Sequence, residues 1–157
     1  MNWIREQFTF HDMQRLLFRL AEHVKAFKGL TPADISDLLS HAEKCSFPAG
    51  ALIVKESSVG THMYIILNGD VTVTKSGRDG EVELAKLGPA DSFGEMALVD
   101  NEGRSASVRS VSDAVLVRLS DQVINTRPEI GLKVYRNIAS VLATRLRTAD
   151  EVLAWRL

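Results

Sequence analysis

The sequence predicts an α+β fold in which an antiparallel β-barrel or jelly-roll-like sandwich lies between helical ends. Three observations carry this expectation. Apolar residues recur at three- and four-residue steps before residue 47 and again after residue 128. Between those points the period drops to two, the spacing at which side chains share one face of a strand. That middle stretch is interrupted at short intervals by Gly, Pro, Asn and Asp, which argues for many short strands. The 157 residues suffice for one domain with a substantial core, and 45% apolar with 25% charged residues is ordinary for a globular chain.

Taken in order, Met13, Leu16, Leu17, Leu20, Val24 and Phe27 form one apolar face of a helix over about 11–27, with Gly29 as terminator. Trp3, Ile4, Phe8 and Phe10 precede it, so residues 1–30 read as a helical extension that docks on the next helix or serves a partner. Thr31-Pro32-Ala33-Asp34 supplies an N-cap, a proline at the first helical position and an acidic first turn. Ile35, Leu38, Leu39 and Ala42 give that helix its buried face. Cys45 follows as a small, half-buried residue near the helix end, and a single cysteine allows no internal disulfide, which suits a reducing compartment.

Strands are expected at 51–54, 63–67, 71–74, 82–84, 106–108 and 114–117, with Asn68-Gly69 and Asp79-Gly80 as hairpin turns. After Pro128 a helical stripe returns through Ile130, Val134, Ile138, Val141, Leu142, Leu146, Ala149, Val152 and Leu153, interrupted by Arg145.

The charge of −1 provides no general basic field for nucleic acid or anionic membrane, so affinity for phosphate must come from a local site. Charges at Arg5 and Glu6 fall where a secretory signal needs its apolar region, and no run reaches the roughly 18 apolar residues of a membrane span. A cytoplasmic location is expected. No helix-turn-helix or winged module follows the last helix, so a DNA-reading half is expected to be missing. His11, His23, His41 and His62 are widely separated, and neither a Ser/His/Asp grouping nor a Walker-type loop is present. The expectation is a binding module, neither an enzyme nor a metalloprotein.

Phe93-Gly94-Glu95-Met96-Ala97-Leu98, followed by Arg104-Ser105-Ala106-Ser107, concentrates the chemistry. A carboxylate accepts hydrogen bonds from a ribose hydroxyl, an Arg fork grips a phosphate, and small residues let backbone amides approach phosphate oxygens.

This segment closely resembles the phosphate-binding cassette of cyclic nucleotide-binding domains, found in protein kinase A regulatory subunits, gated channels and the bacterial catabolite activator protein. The resemblance rests on Phe-Gly-Glu-Met-Ala-Leu and on an Arg-Ser-Ala placed so that Gly94 and Arg104 stand ten positions apart. Phe27-Lys28-Gly29-Leu30-Thr31-Pro32 and the turn glycines Gly50, Gly60 and Gly69 are similar to the family as well. The resemblance implies that the barrel or sandwich is a β-roll, preceded by a helix within 31–128 and followed by a C-terminal helix over 129–157 that serves as lid or dimer contact.

It further implies that Arg104 holds a cyclic phosphate with help from Ser105, and that Ala106 stays small beside it. Glu95 would take the ribose 2′-hydroxyl, with Phe93, Gly94 and the amides of Met96 and Ala97 completing the cradle. Met96 and Leu98 read as core side chains. Val73, Leu84 and Leu87 match base-wall positions, although β-roll core explains them equally well. Arg145 matches an Arg that some bacterial relatives place near the base or the ribose carboxylate, a snorkelling surface Arg being the competing explanation. Two departures stand out: Gly103, where Pro is frequent, predicts a looser loop, and Ala90 replaces a common turn Gly.

The implied function is a bacterial stand-alone cAMP sensor that regulates an unidentified effector protein through ligand-dependent helix movement. Homodimerisation is a candidate for its output. The alternatives are a cGMP sensor, since the Ser105 hydroxyl can reward a guanine amino group, and a nucleotide-free β-roll interaction module.

Overall fold

The computed structural model describes residues 4–6, 17, 19–100 and 102–156. Among the described residues nine strands form two antiparallel sheets. The five-stranded sheet has the order β1 (Ile4–Glu6), β2 (Glu43–Phe47), β9 (Ala114–Ser120), β4 (His62–Asn68) and β7 (Ser92–Phe93). The four-stranded sheet has the order β3 (Leu52–Val54), β8 (Ser107–Ser110), β5 (Val71–Gly77) and β6 (Gly80–Leu87). Helices α1 (Pro32–Ser40), α2 (Asp121–Asn125) and α3 (Pro128–Arg156) accompany them, with 3-10 turns at Lys25–Phe27 and Glu95–Leu98.

Two cores explain why β4 and β9 are apolar on both faces. On β4, Tyr64 and Ile66 point into the roll with Cys45, Phe47, Val71, Phe93, Val108 and Leu116. Met63 and Ile65 point the other way and join Val117 and Leu119 of β9 in a second core. There they meet Leu20, Val24, Phe27, Ile35, Leu38, Leu39, Ile124, Ile130, Val134 and Ile138 from the helical segments. Burial on both sides turns the expected alternation into a continuous apolar run.

The start of α1 forms as its residues dictate. Thr31 Oγ1 accepts from the Asp34 amide at 3.1 Å, and Asp34 Oδ2 accepts from the Thr31 amide at 3.0 Å. The Thr31 amide, opposed by burial and aided by Lys133, holds the Asp34 carboxyl below its ordinary value. Arg127, just before α3, donates from Nε to Asp37 Oδ2 at 2.5 Å and from Nη2 to Asp37 Oδ1 at 3.2 Å. That fork pins the beginning of α3 to α1.

Several expectations need correction. Strands β2 and β7 lie outside the expected set, and Cys45 sits fully buried in the middle of β2, opposite Leu116, rather than half-buried at a helix end. Ile4–Glu6 belong to a strand paired with β2, not to a helical extension. The first helix stops at residue 23, where Val24 turns extended and the 3-10 turn begins. Trp3, Phe8, Phe10, His11, Met13 and Leu16 lie outside the described residues.

Asn68-Gly69 is a corner rather than a hairpin, because β4 and β5 belong to different sheets. The hairpin joins β5 to β6, with Gly77 opposite Gly80. The α3 stripe is buried only at Ile130, Val134 and Ile138, with Leu142 packing partly against the core. At 29 residues α3 runs roughly 43 Å, so its end outreaches the domain, and Trp155 is 91% exposed.

Candidate functional site

The cassette begins on β7, where Phe93 pairs with Tyr64 of β4 and the two rings stack with centroids 5.0 Å apart. That stack anchors the chain just before Gly94, which takes a left-handed φ of +78° and opens the 3-10 turn. The backbone angle requires glycine, and a Cβ at Gly94 would also lie 2.7 Å from Arg104 Nη1 and push the guanidinium away.

Arg104 reaches this point from the far side of the loop. Its Nη1 donates to the Gly94 carbonyl at 3.1 Å and its Nη2 to the His62 carbonyl at 2.8 Å. Gly60 leaves room for the same guanidinium, because a Cβ there would lie 2.4 Å from Nη2. Among the described residues no carboxylate pairs with Arg104. Burial pulls the guanidinium below its ordinary value, Tyr64 opposes that shift and Arg118 adds to it. The result is a half-buried cation whose protein partners are neutral carbonyl oxygens, an arrangement that favours an incoming anion.

The Arg104 backbone is equally constrained. Its amide donates to the Ser58 carbonyl at 2.7 Å, and its carbonyl accepts from the Ser57 amide at 2.8 Å. The looser loop expected from Gly103 is therefore not observed, since this two-bond clamp fixes the residue beside it.

Glu95 is 8% exposed, the buried acidic side chain of the site. Its Oε1 accepts from Ser92 Oγ at 2.6 Å, and among the described residues no ion pair joins it to Arg104.

These groups border a cavity of about 400 Å³, within the ordinary range for small-molecule sites. Its wall holds Phe93, Gly94, Glu95, Met96, Ala97, Arg104, Ser105 and Ala106 from the cassette; Val73, Leu84 and Leu87 from β5 and β6; and Arg145 from α3. The residues expected to hold phosphate, ribose and base thus all border one cavity.

Three details differ from expectation. Met96 is 43% exposed at the cavity instead of being a core side chain, whereas Leu98 is buried in the helical core. The Ala97 amide donates to the Gly94 carbonyl at 3.1 Å, which spends it on closing the turn. Leu84 is 57% exposed, which removes the core explanation for it, while Val73 and Leu87 pack partly on the roll core.

Ser92, Val54, Ala85, Asp100, Glu102 and Val108 also border the cavity and were not anticipated. Of these, only Ser92 carried a local signal, a hydroxyl three positions before Glu95.

A model of the cyclic nucleotide-binding domain matches residues 44–126, more than half of the chain. The chain belongs to the cyclic nucleotide-binding domain family. The cyclic AMP receptor protein of Thermus thermophilus is 35% identical over 129 residues, which cover 79% of this chain and 58% of that protein. The crystal structure of the Thermus thermophilus catabolite activator protein superposes with a TM-score of 0.77 at 34% identity, covering 83% of this chain and 62% of that one. A cyclic nucleotide-binding domain from Methylobacillus flagellatus has the same fold, with a TM-score of 0.81 at 23% identity over 97% of this chain and 88% of that one. The chain spans less than two thirds of the length of the Thermus protein it matches. Two antiparallel sheets and a long C-terminal helix make up the β-roll architecture of this cyclic nucleotide-binding domain. Among the described residues no helix is long and apolar enough to cross a membrane.

Proposed function

We propose that this domain is a regulatory sensor that binds one molecule of cAMP per chain and passes the event to an effector through its C-terminal helix. The observation that carries the reading is Arg104, a half-buried guanidinium held by two backbone carbonyls and bordering a cavity with no acidic partner among the described residues. A cyclic phosphodiester carries one negative charge, and a single Arg fork matches it.

The remaining wall fits the rest of such a ligand. Glu95 takes the ribose 2′-hydroxyl, the Ser105 hydroxyl and the small Ala106 flank the phosphate, and Val73, Leu84 and Leu87 supply an apolar wall for the base. Arg145 reaches the same cavity from α3, giving bound nucleotide a direct contact with the helix that moves. Leu98 offers a second route, since the cassette turn that carries Glu95 also buries Leu98 in the helical core beside α3. Arg127 fixes the base of α3, so movement falls on its distal part, a population shift driven by contacts made only in the closed state.

The adenine ligand is favoured over guanine because the Ser105 hydroxyl alone is a weak selector for a guanine amino group, one hydrogen bond to a neutral group contributing only about 1 kcal/mol. We assign the chain no catalytic role. Residues 31–128 form the binding unit, 1–30 and 129–157 flank it, and the site of action is the cytoplasm. The exposed apolar residues Leu146, Val152, Leu153 and Trp155 suit contact with a second copy or an effector.

Thermal melting tests the reading. Ligand at 100 times its Kd adds about 2.7 kcal/mol of stability, a rise of roughly 5–10 °C for a domain of this size. A rise with cAMP that exceeds the rise with cGMP is expected, and no rise with either nucleotide overturns the proposal. Amide exchange in 140–156 is expected to slow with ligand, and slowing confined to 93–107 overturns the helix movement alone.

A further inference from the structure

Glu95 is buried, yet the donor assigned to its carboxylate is a neutral hydroxyl. Ser92 lies on β7 opposite Ile65 of β4, so the backbone ladder fixes the direction of its side chain before any ligand arrives. Its hydroxyl donates to Glu95 Oε1 at 2.6 Å. With Oε1 engaged, Oε2 is left as the acceptor for a ligand hydroxyl, on a residue that borders the cavity. Both residues border the cavity that holds Arg104.

We infer that Ser92 is a positioning residue, orienting Glu95 so that its second oxygen meets the ribose 2′-hydroxyl of a bound nucleotide. The inference rests on the assignment of Glu95 to that hydroxyl. Ser92 touches the ligand's selector rather than the selected group, so its contribution is pre-organisation: a carboxylate already held in one rotamer loses less freedom on binding. Without the hydroxyl, Glu95 must find its bound orientation when the nucleotide enters, and its buried Oε1 loses its hydrogen-bond donor.

The role shows in discrimination between cAMP and 2′-deoxy-cAMP, measured by calorimetric titration of the same protein preparation so that any unfolded fraction cancels in the ratio. Wild type is expected to prefer cAMP. Ser92→Ala is expected to shrink that preference by about three- to tenfold, the size of the ordering cost of one side chain at a binding site. Its affinity for 2′-deoxy-cAMP should stay near wild type. Ser92→Thr, which keeps the hydroxyl, should restore the preference. In a Glu95→Gln background, adding Ser92→Ala should change the ratio little further. An unchanged ratio in Ser92→Ala overturns the positioning role while leaving Glu95 on the ribose. A wild type that binds both nucleotides equally removes both assignments, and a wild type that binds neither removes the cyclic nucleotide reading as a whole.

Discussion

Gly60→Ala adds one methyl group beside the proposed phosphate site and alters none of the residues assigned to the ligand. The new Cβ would lie 2.4 Å from Arg104 Nη2, 2.7 Å from Nε and 2.8 Å from Cζ. Ordinary contact begins near 3.5 Å, so the guanidinium must retreat by roughly 1 Å. Moving the end of a long side chain has a small effect on the fold, because the released fork can be hydrated. Gly60 has no positive φ, and replacing Gly by Ala at a compatible angle removes about 0.4–1 kcal/mol of unfolded-state entropy, which offsets part of the lost hydrogen bonding. The melting temperature of the free protein should therefore move little. Binding is different: the fork no longer lies between the Gly94 and His62 carbonyls, and loss of a desolvated charge contact costs about 2–5 kcal/mol. Calorimetric titration should show cAMP affinity reduced at least about 30-fold. Wild-type affinity in Gly60→Ala would refute the assignment of the phosphate to this guanidinium.

Other expectations are equally direct. Ala90 holds a left-handed φ of +73° in the turn before β7. Ala90→Gly should stabilise the protein by about 0.5 kcal/mol, strain relief exceeding the added unfolded-state entropy, and a lower melting temperature would contradict this. Burial, reinforced by Arg118 and opposed by Glu43, holds His62 below its ordinary value of 6.5. A depressed histidine stays neutral in the fold while the unfolded chain takes up a proton, so this contribution to stability is present above the ordinary value and lost as pH falls. His62→Gln should thus lose less melting temperature than wild type between about pH 7 and 5. Leu98→Ala should leave cAMP affinity within a few fold, yet abolish the ligand-induced slowing of exchange in 140–156. Slowing at the wild-type level would remove Leu98 from the coupling route.

The cassette was legible because its chemistry is local: Phe93 to Leu98 and Arg104 to Ala106 carry fixed spacing within one stretch of chain. The capping box at Thr31 was legible for the same reason. What escaped depends on partners distant in sequence. Glu43-Lys44-Cys45-Ser46-Phe47 looks too polar for a strand, and only pairing with β9 and burial in the roll make it one. Ser92-Phe93 is two residues long and exists as a strand only because β4 lies alongside. Gly103 suggested a loose loop because the two bonds that tighten Arg104 come from Ser57 and Ser58, far upstream. The stripe on α3 was real as a pattern, but periodicity carries no information about where the domain ends beneath it. Ser92 lay three residues from Glu95, and its role emerged only once the hydroxyl and carboxylate were placed at 2.6 Å.

The central claim is that Arg104 holds the phosphate of a cyclic nucleotide. Titrating wild type and Arg104→Ala with cAMP in one calorimetric experiment tests it most directly. The account predicts one site per wild-type chain and affinity at least about 30-fold weaker in the variant, from the 2–5 kcal/mol loss of a desolvated charge pair. Equal affinities in the two proteins would contradict it.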